Sequence, residues 1–224
     1  NARSYDFNFS DKTKFYQIAS DGGFLEKSVE MTNVILAPAE RAEILVDFSE
    51  YKVGDKITFR DTENNLMTIN IIEDSTKKAD IPKKLVDMPK YDKDEIVRSR
   101  EFVMSGSGPM VAINGKQMDM NRIDEELKVN ELEEWVVSNE SSGGMGMMSS
   151  SPHPFHVHGV QFQIIERNGD KPPLNEQGWK DTVMVKSNEK VKLLVNFREK
   201  GLFMYHCHIL EHEDSGMMGQ FTVE

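Results

Sequence analysis

The sequence contains a single cysteine, Cys207, among its 224 residues. An internal disulfide is therefore excluded, and the paired-cysteine spacing of most structural zinc sites is missing. Positive charge is also scarce, because 27 Lys and Arg residues stand against 38 Asp and Glu, which gives a net charge of −11. Nucleic acids and anionic membranes both attract basic surfaces, so we expect neither as a binding partner.

The sequence also lacks long apolar runs. A membrane-spanning helix needs roughly 18–20 consecutive apolar residues, so we expect no insertion into a membrane. The chain has no initiator methionine and no apolar leader, and its opening stretch "NARSYDFNF" is typical of the interior of a strand-rich domain. We expect a soluble chain whose targeting signal, if it has one, lies outside this sequence.

What the sequence does have is a β pattern in two blocks. In residues 1–73, short apolar runs such as "FYQIA" and "KITFR" alternate with turn signals. They predict about five strands, too few for a Greek-key sandwich of around seven, so this block is expected to be the latter part of a domain. Residues 74–100 are rich in charge and predict a surface linker, with room for a short helical turn near residues 92–98. Residues 101–224 predict about eight strands, enough for a complete antiparallel β-sandwich.

All six histidines fall in two short stretches. The first is "HPFHVH", residues 153–158, and the second is "HCHILEH", residues 206–212, which also contains Cys207. Neighbouring side chains of a β-strand point to opposite faces. His206 and His208 would therefore share one face and Cys207 would occupy the other. The pattern predicts two metal centres that are joined through the chain at Cys207.

The first centre would collect Cys207, His153, His212 and a methionine just beyond "HEDSG". A thiolate, two imidazoles and a weak thioether suit a blue-copper electron-transfer site. Four imidazoles without a thiolate suit copper ions that bind and reduce dioxygen. That second centre would take the four other histidines, His156, His158, His206 and His208. Zinc is disfavoured, since structural zinc sites normally use several cysteines.

These motifs resemble those of the multicopper oxidases, a laccase-like family built from cupredoxin domains. "HPFHVHG" is similar to that family's third copper motif and "HCHILEHEDSGMM" to its fourth. Weaker likenesses in "SDGGFLEKSVE", "LAPAERAEILVDF" and "GWKDTVMV" extend the resemblance over most of the chain, which looks most like bacterial three-domain members. The resemblance implies an all-β, cupredoxin-like Greek-key β-sandwich. Residues 101–224 would be one complete C-terminal domain, preceded by part of a middle domain in residues 1–73.

The resemblance also implies a role for each ligand of the first centre. His153, Cys207 and His212 would hold the type 1 copper. Met217 would be the axial ligand, and Met218 would take that place if the loop register shifts by one residue. Cys207 would also carry electrons towards the second centre.

The second centre would be a cluster of three copper ions. In the family pattern, His156 matches the ligand of the type 2 copper. The type 3 pair would be bound by His158, His206 and His208. Glu213, beside the last histidine, is similar to a family carboxylate that feeds protons towards this cluster, although an ordinary surface role is an equal alternative.

The implied activity is one-electron oxidation of a reducing substrate coupled to four-electron reduction of dioxygen to water. Phenols, aromatic amines, pigments and cuprous ions are all suitable substrates. The family's three-copper cluster takes eight histidines, whereas this chain offers four. The type 2 and type 3 coppers would therefore be shared with the N-terminal half of the oxidase, from the same precursor or a separate chain. Without that partner the chain is expected to be inactive.

Two other functions stay open. The chain could be a non-catalytic blue-copper electron-transfer or copper-binding fragment, which would leave four histidines without a role. It could also capture cuprous ions on soft thioethers, offered by Met145, Met147 and Met148 in a Ser- and Gly-rich loop. A plain loop over the substrate face is the simpler interpretation of that segment. Packing or turn roles are assigned to Trp135, Trp179 and Asp181.

Overall fold

The computed structural model describes residues 2–74, 80–140 and 151–224. Across these residues the chain forms seventeen β-strands, one five-residue α-helix and two short 3₁₀ turns. The predicted all-β fold is therefore confirmed. Within the same described parts, no helix is both long enough and apolar enough to cross a membrane.

The N-terminal strands form two sheets. They are β1 (Tyr5–Phe9), β2 (Phe15–Ser20), β3 (Gly23–Met31), β4 (Asn33–Leu36), β5 (Glu43–Val46), β6 (Lys56–Asp61) and β7 (Asn64–Asn70). One sheet has the order β4-β1-β6-β7 and the other has the order β3-β2-β5. Phe9, Phe15, Val34 and Ile57, drawn from both sheets, form the buried core.

The strand count here differs from the prediction, since the structure has seven strands where about five were expected. The strand β7 is exposed along almost its whole length, so its side chains do not show the apolar alternation that marks a strand in sequence. Its place in the sheet comes from backbone pairing with β6. Backbone pairing of this kind cannot be predicted from the pattern of apolar and polar side chains.

The segment expected to be a linker is shorter than predicted. Residues 80–92 have no regular secondary structure, and a 3₁₀ turn at Lys93–Glu95 is capped by Asp92. A strand then begins at Ile96, inside the range assigned to the linker. The charged residues of this strand make it look like a linker in the sequence. One of them, Arg100, is in fact buried, with Nε 2.6 Å from Glu133. Charge at that position therefore marks a buried ion pair.

The C-terminal strands form two five-stranded sheets. The elements are β8 (Ile96–Ser107), β9 (Met110–Ile113), β10 (Glu125–Leu127), β11 (Leu132–Glu140), β12 (His153–Val157), β13 (Gln163–Arg167), β14 (Thr182–Val185), β15 (Lys190–Asn196), β16 (Gly201–Cys207), α1 (Leu210–Asp214) and β17 (Met218–Val223). The sheet orders are β10-β17-β16-β12-β14 and β13-β15-β11-β8-β9.

Two features of this sandwich differ from the expectation. It has ten strands where about eight were predicted, because β10 spans three residues only and β12 contains a proline. It is also mixed, since β8 runs parallel to β11 and β10 runs parallel to β17. The prediction that all strands of this sandwich are antiparallel was therefore wrong.

An aromatic core fills the space between these two sheets. Trp135 is fully buried, with the ring of Phe102 at 4.6 Å and that of Phe221 at 5.7 Å between centroids. Each such burial stabilises the fold by roughly 1.5–3 kcal/mol. Cys207, at the end of β16, belongs to the same core. The site described next is thus anchored in the rigid centre of the sandwich.

The N-terminal strands pack against the loop that leads into β14. The backbone nitrogen of Gly22 and the hydroxyl of Ser20 each donate to the carbonyl of Trp179 at 2.8 Å. A Cβ atom at Gly22 would lie 2.7 Å from the Cβ of Trp179, so the close approach requires glycine. This contact joins the two blocks of strands beside the histidine motifs.

Candidate metal centre

Strands β12 and β16 are antiparallel neighbours, and they carry both histidine motifs. Their register places Phe155 opposite Cys207 and His156 opposite His206. Alternation along each strand then puts the first pair on the face towards the core and the second pair on the opposite face. Two strands that are distant in sequence thereby present two separate groups of ligands.

The first group, which we call the cysteine cluster, consists of Cys207, His153 and His212. The Cys207 Sγ lies 3.6 Å from Nδ1 of His153 and 3.6 Å from Nδ1 of His212. All three residues are buried. His153 begins β12 and His212 lies on α1, so three elements converge on the sulfur.

Met217 lies in the same corner of the fold. It is fully buried, its carbonyl accepts a hydrogen bond from the Cys207 nitrogen at 3.0 Å, and its own nitrogen donates to the His212 carbonyl at 2.9 Å. Met218 begins β17 and pairs with His206 instead. The backbone of Met217 therefore contacts Cys207 and His212 of the cysteine cluster, whereas that of Met218 pairs with His206.

Burial controls the protonation of this cluster. It raises the pKa of the Cys207 thiol to about 12. It also lowers the pKa of His153 to about 4, with a smaller contribution from nearby His212. Burial lowers the pKa of His212 as well. Both histidines are then neutral donors, and the thiol keeps its proton until a cation replaces it.

The spacing of these atoms fits one bound ion. Donors at ~2.0 Å for nitrogen and ~2.3 Å for sulfur around a single ion lie about 3.5–3.7 Å apart. The observed Sγ to Nδ1 distances of 3.6 Å agree with this spacing. One thiolate and two imidazoles are also the donors of a blue-copper site. The residues present therefore fit copper.

The second group, which we call the four-histidine cluster, consists of His156, His158, His206 and His208. The ligand atoms of His156, His158 and His206 all lie within 4.8 Å of one another. Nε2 of His158 and Nε2 of His206 are 3.0 Å apart. The ring of His208 faces those of His156 and His206 at centroid distances of 5.5 and 5.4 Å.

Hydrogen bonds leave lone pairs on Nε2 atoms of this cluster, and the Nε2 of His206 faces that of His158 at 3.0 Å. Nδ1 of His206 lies 3.1 Å from the carbonyl of Cys207, and Nδ1 of His156 lies 2.9 Å from the carbonyl of Asp181. A carbonyl only accepts, so each Nδ1 carries the proton and each Nε2 keeps a lone pair. Burial lowers the pKa of His206 to about 4 and also lowers the pKa of His158. His158 and His206 are therefore neutral imidazole donors.

Glu213, predicted to move protons, lies at the border of this cluster. Its Oε2 is 3.6 Å from Nδ1 of His206, and 32% of its side chain is exposed. A carboxylate in that place contacts both solvent and the histidines. Its catalytic role stays a prediction, as do the individual ligand roles.

Two further residues belong to the site: Asp181, to which the sequence assigned a packing or turn role, and Thr182, to which it assigned none. Asp181 presents its carbonyl to His156 and Thr182 presents its hydroxyl, both at 2.9 Å from Nδ1. Burial opposes ionisation of Asp181, but hydrogen bonds from Arg41, His156 and Thr182 outweigh burial and hold the pKa of Asp181 well below its usual range. His156 of β12 pairs with Thr182 of β14. No sequence motif indicates this pairing. Met145, Met147 and Met148 lie outside the described residues.

The fold and the two clusters together define a cupredoxin-like copper protein. The family model for multicopper oxidases matches residues 80–224. A multicopper oxidase of Staphylococcus haemolyticus is 38% identical over 100% of this chain and 46% of its own length. The laccase of Bacillus subtilis is 30% identical over 97% of this chain and 48% of its own length. The crystal structure of a multi-copper oxidase from Pediococcus acidilactici superposes with a TM-score of 0.92 at 42% identity, covering 99% of this chain and 46% of that one.

The chain belongs to the multicopper oxidase family, as the resemblance implied. Membership of that family implies copper as the cofactor. The chain spans about half the length of the relatives that it matches.

Proposed function

We propose that this chain supplies the electron-accepting site and half of the dioxygen-reducing site of a laccase-like multicopper oxidase. The cysteine cluster would hold type 1 copper, with Met217 as the axial ligand. His156 would hold type 2 copper, and the type 3 pair would be shared by His158, His206 and His208. Bound copper would supply one-electron redox chemistry, which would couple oxidation of a reductant to the reduction of dioxygen by four electrons and four protons to two waters.

One observation carries this proposal: Cys207 lies between His206 and His208 in the chain. The thiol points to one cluster while its two neighbours point to the other. Each neighbouring histidine would therefore connect the proposed electron-accepting site to the proposed dioxygen site through one peptide link. A protein that only stored or transported copper would not need this connection.

The protein's own groups do the remaining work. Burial of Cys207 and His153 keeps water away from the first site, which limits the reorganisation that accompanies electron transfer. The carboxyl of Glu213 would hold a proton beside His206 and exchange it with solvent. Substrate binding requires little shape complementarity, so phenols, aromatic amines, pigments and cuprous ions are all proposed donors.

The other half of the oxidase would complete the second site. This chain contributes four of the eight histidines that the family's cluster takes, and six is its complete histidine content. We propose that a partner half with two H-x-H motifs supplies the rest. On its own, the chain would bind copper at the cysteine cluster and would lack four-electron activity. Intact mass of the purified protein under denaturing conditions tests whether such a half accompanies it.

The decisive experiment replaces Cys207 by Ser in protein that includes the other half. The blue absorption and oxygen consumption should both be lost, because the oxygen ligand cannot replace the thiolate link between the clusters. Leu in place of Met110 is the control, since that residue of β9 is exposed and outside both clusters, and it should leave both signals unchanged. Surviving turnover in the Cys207 variant would disprove the electron path. A blue parent protein that consumes no oxygen would favour the non-catalytic electron-transfer function.

A further inference from the structure

The orientation of His156 depends on a short chain of hydrogen bonds. Its Nδ1 lies 2.9 Å from the carbonyl oxygen of Asp181 and 2.9 Å from the hydroxyl oxygen of Thr182. The hydroxyl of Thr182 donates its only proton to Oδ1 of Asp181 at 2.9 Å. That hydroxyl oxygen can then only accept from His156. The hydrogen bonds therefore run in one direction, from His156 to the Asp181 carboxylate.

The carboxylate is held by an arginine from the loop between β4 and β5. Arg41 donates from Nη1 to Oδ1 of Asp181 and from Nη2 to Oδ2, each at 2.7 Å. This two-bond arrangement fixes the plane of the carboxylate, which a single charge would not do. The two residues are 140 positions apart in the sequence. Their contact joins the two blocks of strands beside His156.

The backbone of the same loop is held by Asp21. Its fully buried carboxylate accepts from the backbone nitrogens of Asp181 and Thr182 at 3.2 and 3.3 Å, and from Nζ of Lys180 at 3.1 Å. Its other oxygen accepts from the backbone nitrogen of Arg41 at 2.7 Å. Asp21 thus fixes the loop and the arginine at the same time.

Lys180 forms buried ion pairs with two carboxylates of the N-terminal block. Its side chain is buried, with Nζ 3.1 Å from Asp21 and 3.3 Å from Glu40. Burial alone would lower the pKa of Lys180, but the charges of Glu40 and Asp21 outweigh burial and raise it. The loop before β14 is therefore fixed by charges that come from the N-terminal block.

We propose that Asp21 and Arg41 are positioning residues for the metal ligand His156, acting through Asp181 and Thr182. They hold the Nδ1–H tautomer and the ring direction, so that Nε2 is presented to the four-histidine cluster. This inference rests on the proposed function of His156 as a copper ligand. It extends the site into the N-terminal block, which contains no histidine. Partners of this kind typically contribute 10- to 100-fold in metal affinity, so a loss of about that size is expected.

The competing explanation is that these charges only join the two blocks of strands. Replacing Arg41 would then lower stability without changing His156. Two measurements separate the explanations. Long-range ¹⁵N NMR of the metal-free protein reports the His156 tautomer. Electron paramagnetic resonance of copper-loaded protein that includes the other half reports type 2 copper, with the blue absorption of the cysteine cluster as an internal reference.

The variants are Arg41→Gln, Arg41→Lys and the control Arg60→Gln. Arg60 lies in the N-terminal strands and also pairs with a carboxylate, that of Glu63 at 3.2 Å, away from the histidines. Arg41→Gln should mix the His156 tautomers and weaken type 2 copper binding by ~10- to 100-fold, while the blue absorption stays unchanged. Arg41→Lys should fall between the parent and Arg41→Gln, and Arg60→Gln should match the parent.

A second pair tests the hydroxyl link without touching the ion pair. Thr182→Val should alter the type 2 copper spectrum, and Thr182→Ser should restore it. If Arg41→Gln fails to fold, this pair decides the question. The inference is overturned if Arg41→Gln and Arg60→Gln give the same tautomer and spectrum, or if Thr182→Val matches Thr182→Ser. A parent protein without any type 2 copper would overturn the proposed function instead, while the tautomer in metal-free protein would still test the positioning.

Discussion

The cysteine cluster and the four-histidine cluster differ in how closed they are. Cys207 and His153 are fully buried and His212 is 7% exposed, whereas in the four-histidine cluster only His206 is buried and 19% of the His156 side chain is exposed. A closed set of donors suits a site that passes electrons without binding a molecule. A partly open set leaves coordination positions for further ligands and for a small substrate.

The difference comes from the pleat of one strand more than from residue type. Cys207 and His206 are adjacent in β16, yet their side chains lie on opposite faces. One face turns towards the aromatic core and the other towards the start of β14. A shift of one residue in register would exchange the two faces and destroy both clusters at once.

The largest effect is expected when one histidine of the four-histidine cluster is removed and the cysteine cluster is left intact. His156→Gln should lower oxygen consumption by more than the roughly 10- to 100-fold typical of losing an outer partner, because a direct donor is lost. The blue absorption should remain, since no atom of the cysteine cluster changes. Oxygen uptake and visible absorption, measured on protein that includes the other half, check both statements. Loss of the blue colour together with activity would show that the two clusters do not form independently.

The sequence indicated which histidines lie near Cys207 and which lie on the opposite face because that information is local. Histidines at positions 206 and 208 flank Cys207, and strand alternation alone separates them. The resemblance added Met217 as the axial ligand, and the backbone hydrogen bonds to Cys207 and His212 place Met217 beside that cluster. Spacing within one strand is a property that a sequence displays directly.

Long-range features were missed for the opposite reason. Arg41 and Asp181 look like ordinary charged residues until folding brings them within 2.7 Å. Arg100 resembles part of a charged linker until Glu133 is paired with it. The structural role of each charged residue depends on a partner that is distant in the sequence, and no local pattern encodes that partner. Parallel pairing of β8 with β11 was hidden in the same way.

A smaller effect concerns the stability of the metal-free protein. The folded-state pKa of His153 is about 4, against about 6.5 in an unfolded chain. The folded state then binds fewer protons between these values, so the free energy of unfolding is largest above about pH 6.5 and falls as the pH drops towards about 4. From about pH 7 to about pH 5 the loss should be about 2 kcal/mol from this residue.

Denaturant unfolding of metal-free protein at the two pH values measures this loss. His153→Gln removes the titrating group, so its free energy of unfolding should depend less on pH by about 2 kcal/mol. His206, in the four-histidine cluster, has a similarly lowered pKa and remains in both proteins. Equal pH dependence of parent and variant would mean that burial in the cysteine cluster does not hold His153 neutral.

The smallest effect tests the boundary of the cysteine cluster by comparing two adjacent methionines. Leu has nearly the volume of Met, so Met217→Leu and Met218→Leu should each cost less than about 1.5 kcal/mol of stability. Only Met217→Leu should raise the reduction potential of the blue site, because a thioether sulfur donates electron density that favours oxidised copper. Redox titration of the blue absorption measures the potential. Met218, in β17, pairs with His206 of β16. A raised potential in Met218→Leu alone would therefore contradict the axial role of Met217, assign that role to Met218 and mean that the loop register is shifted by one residue.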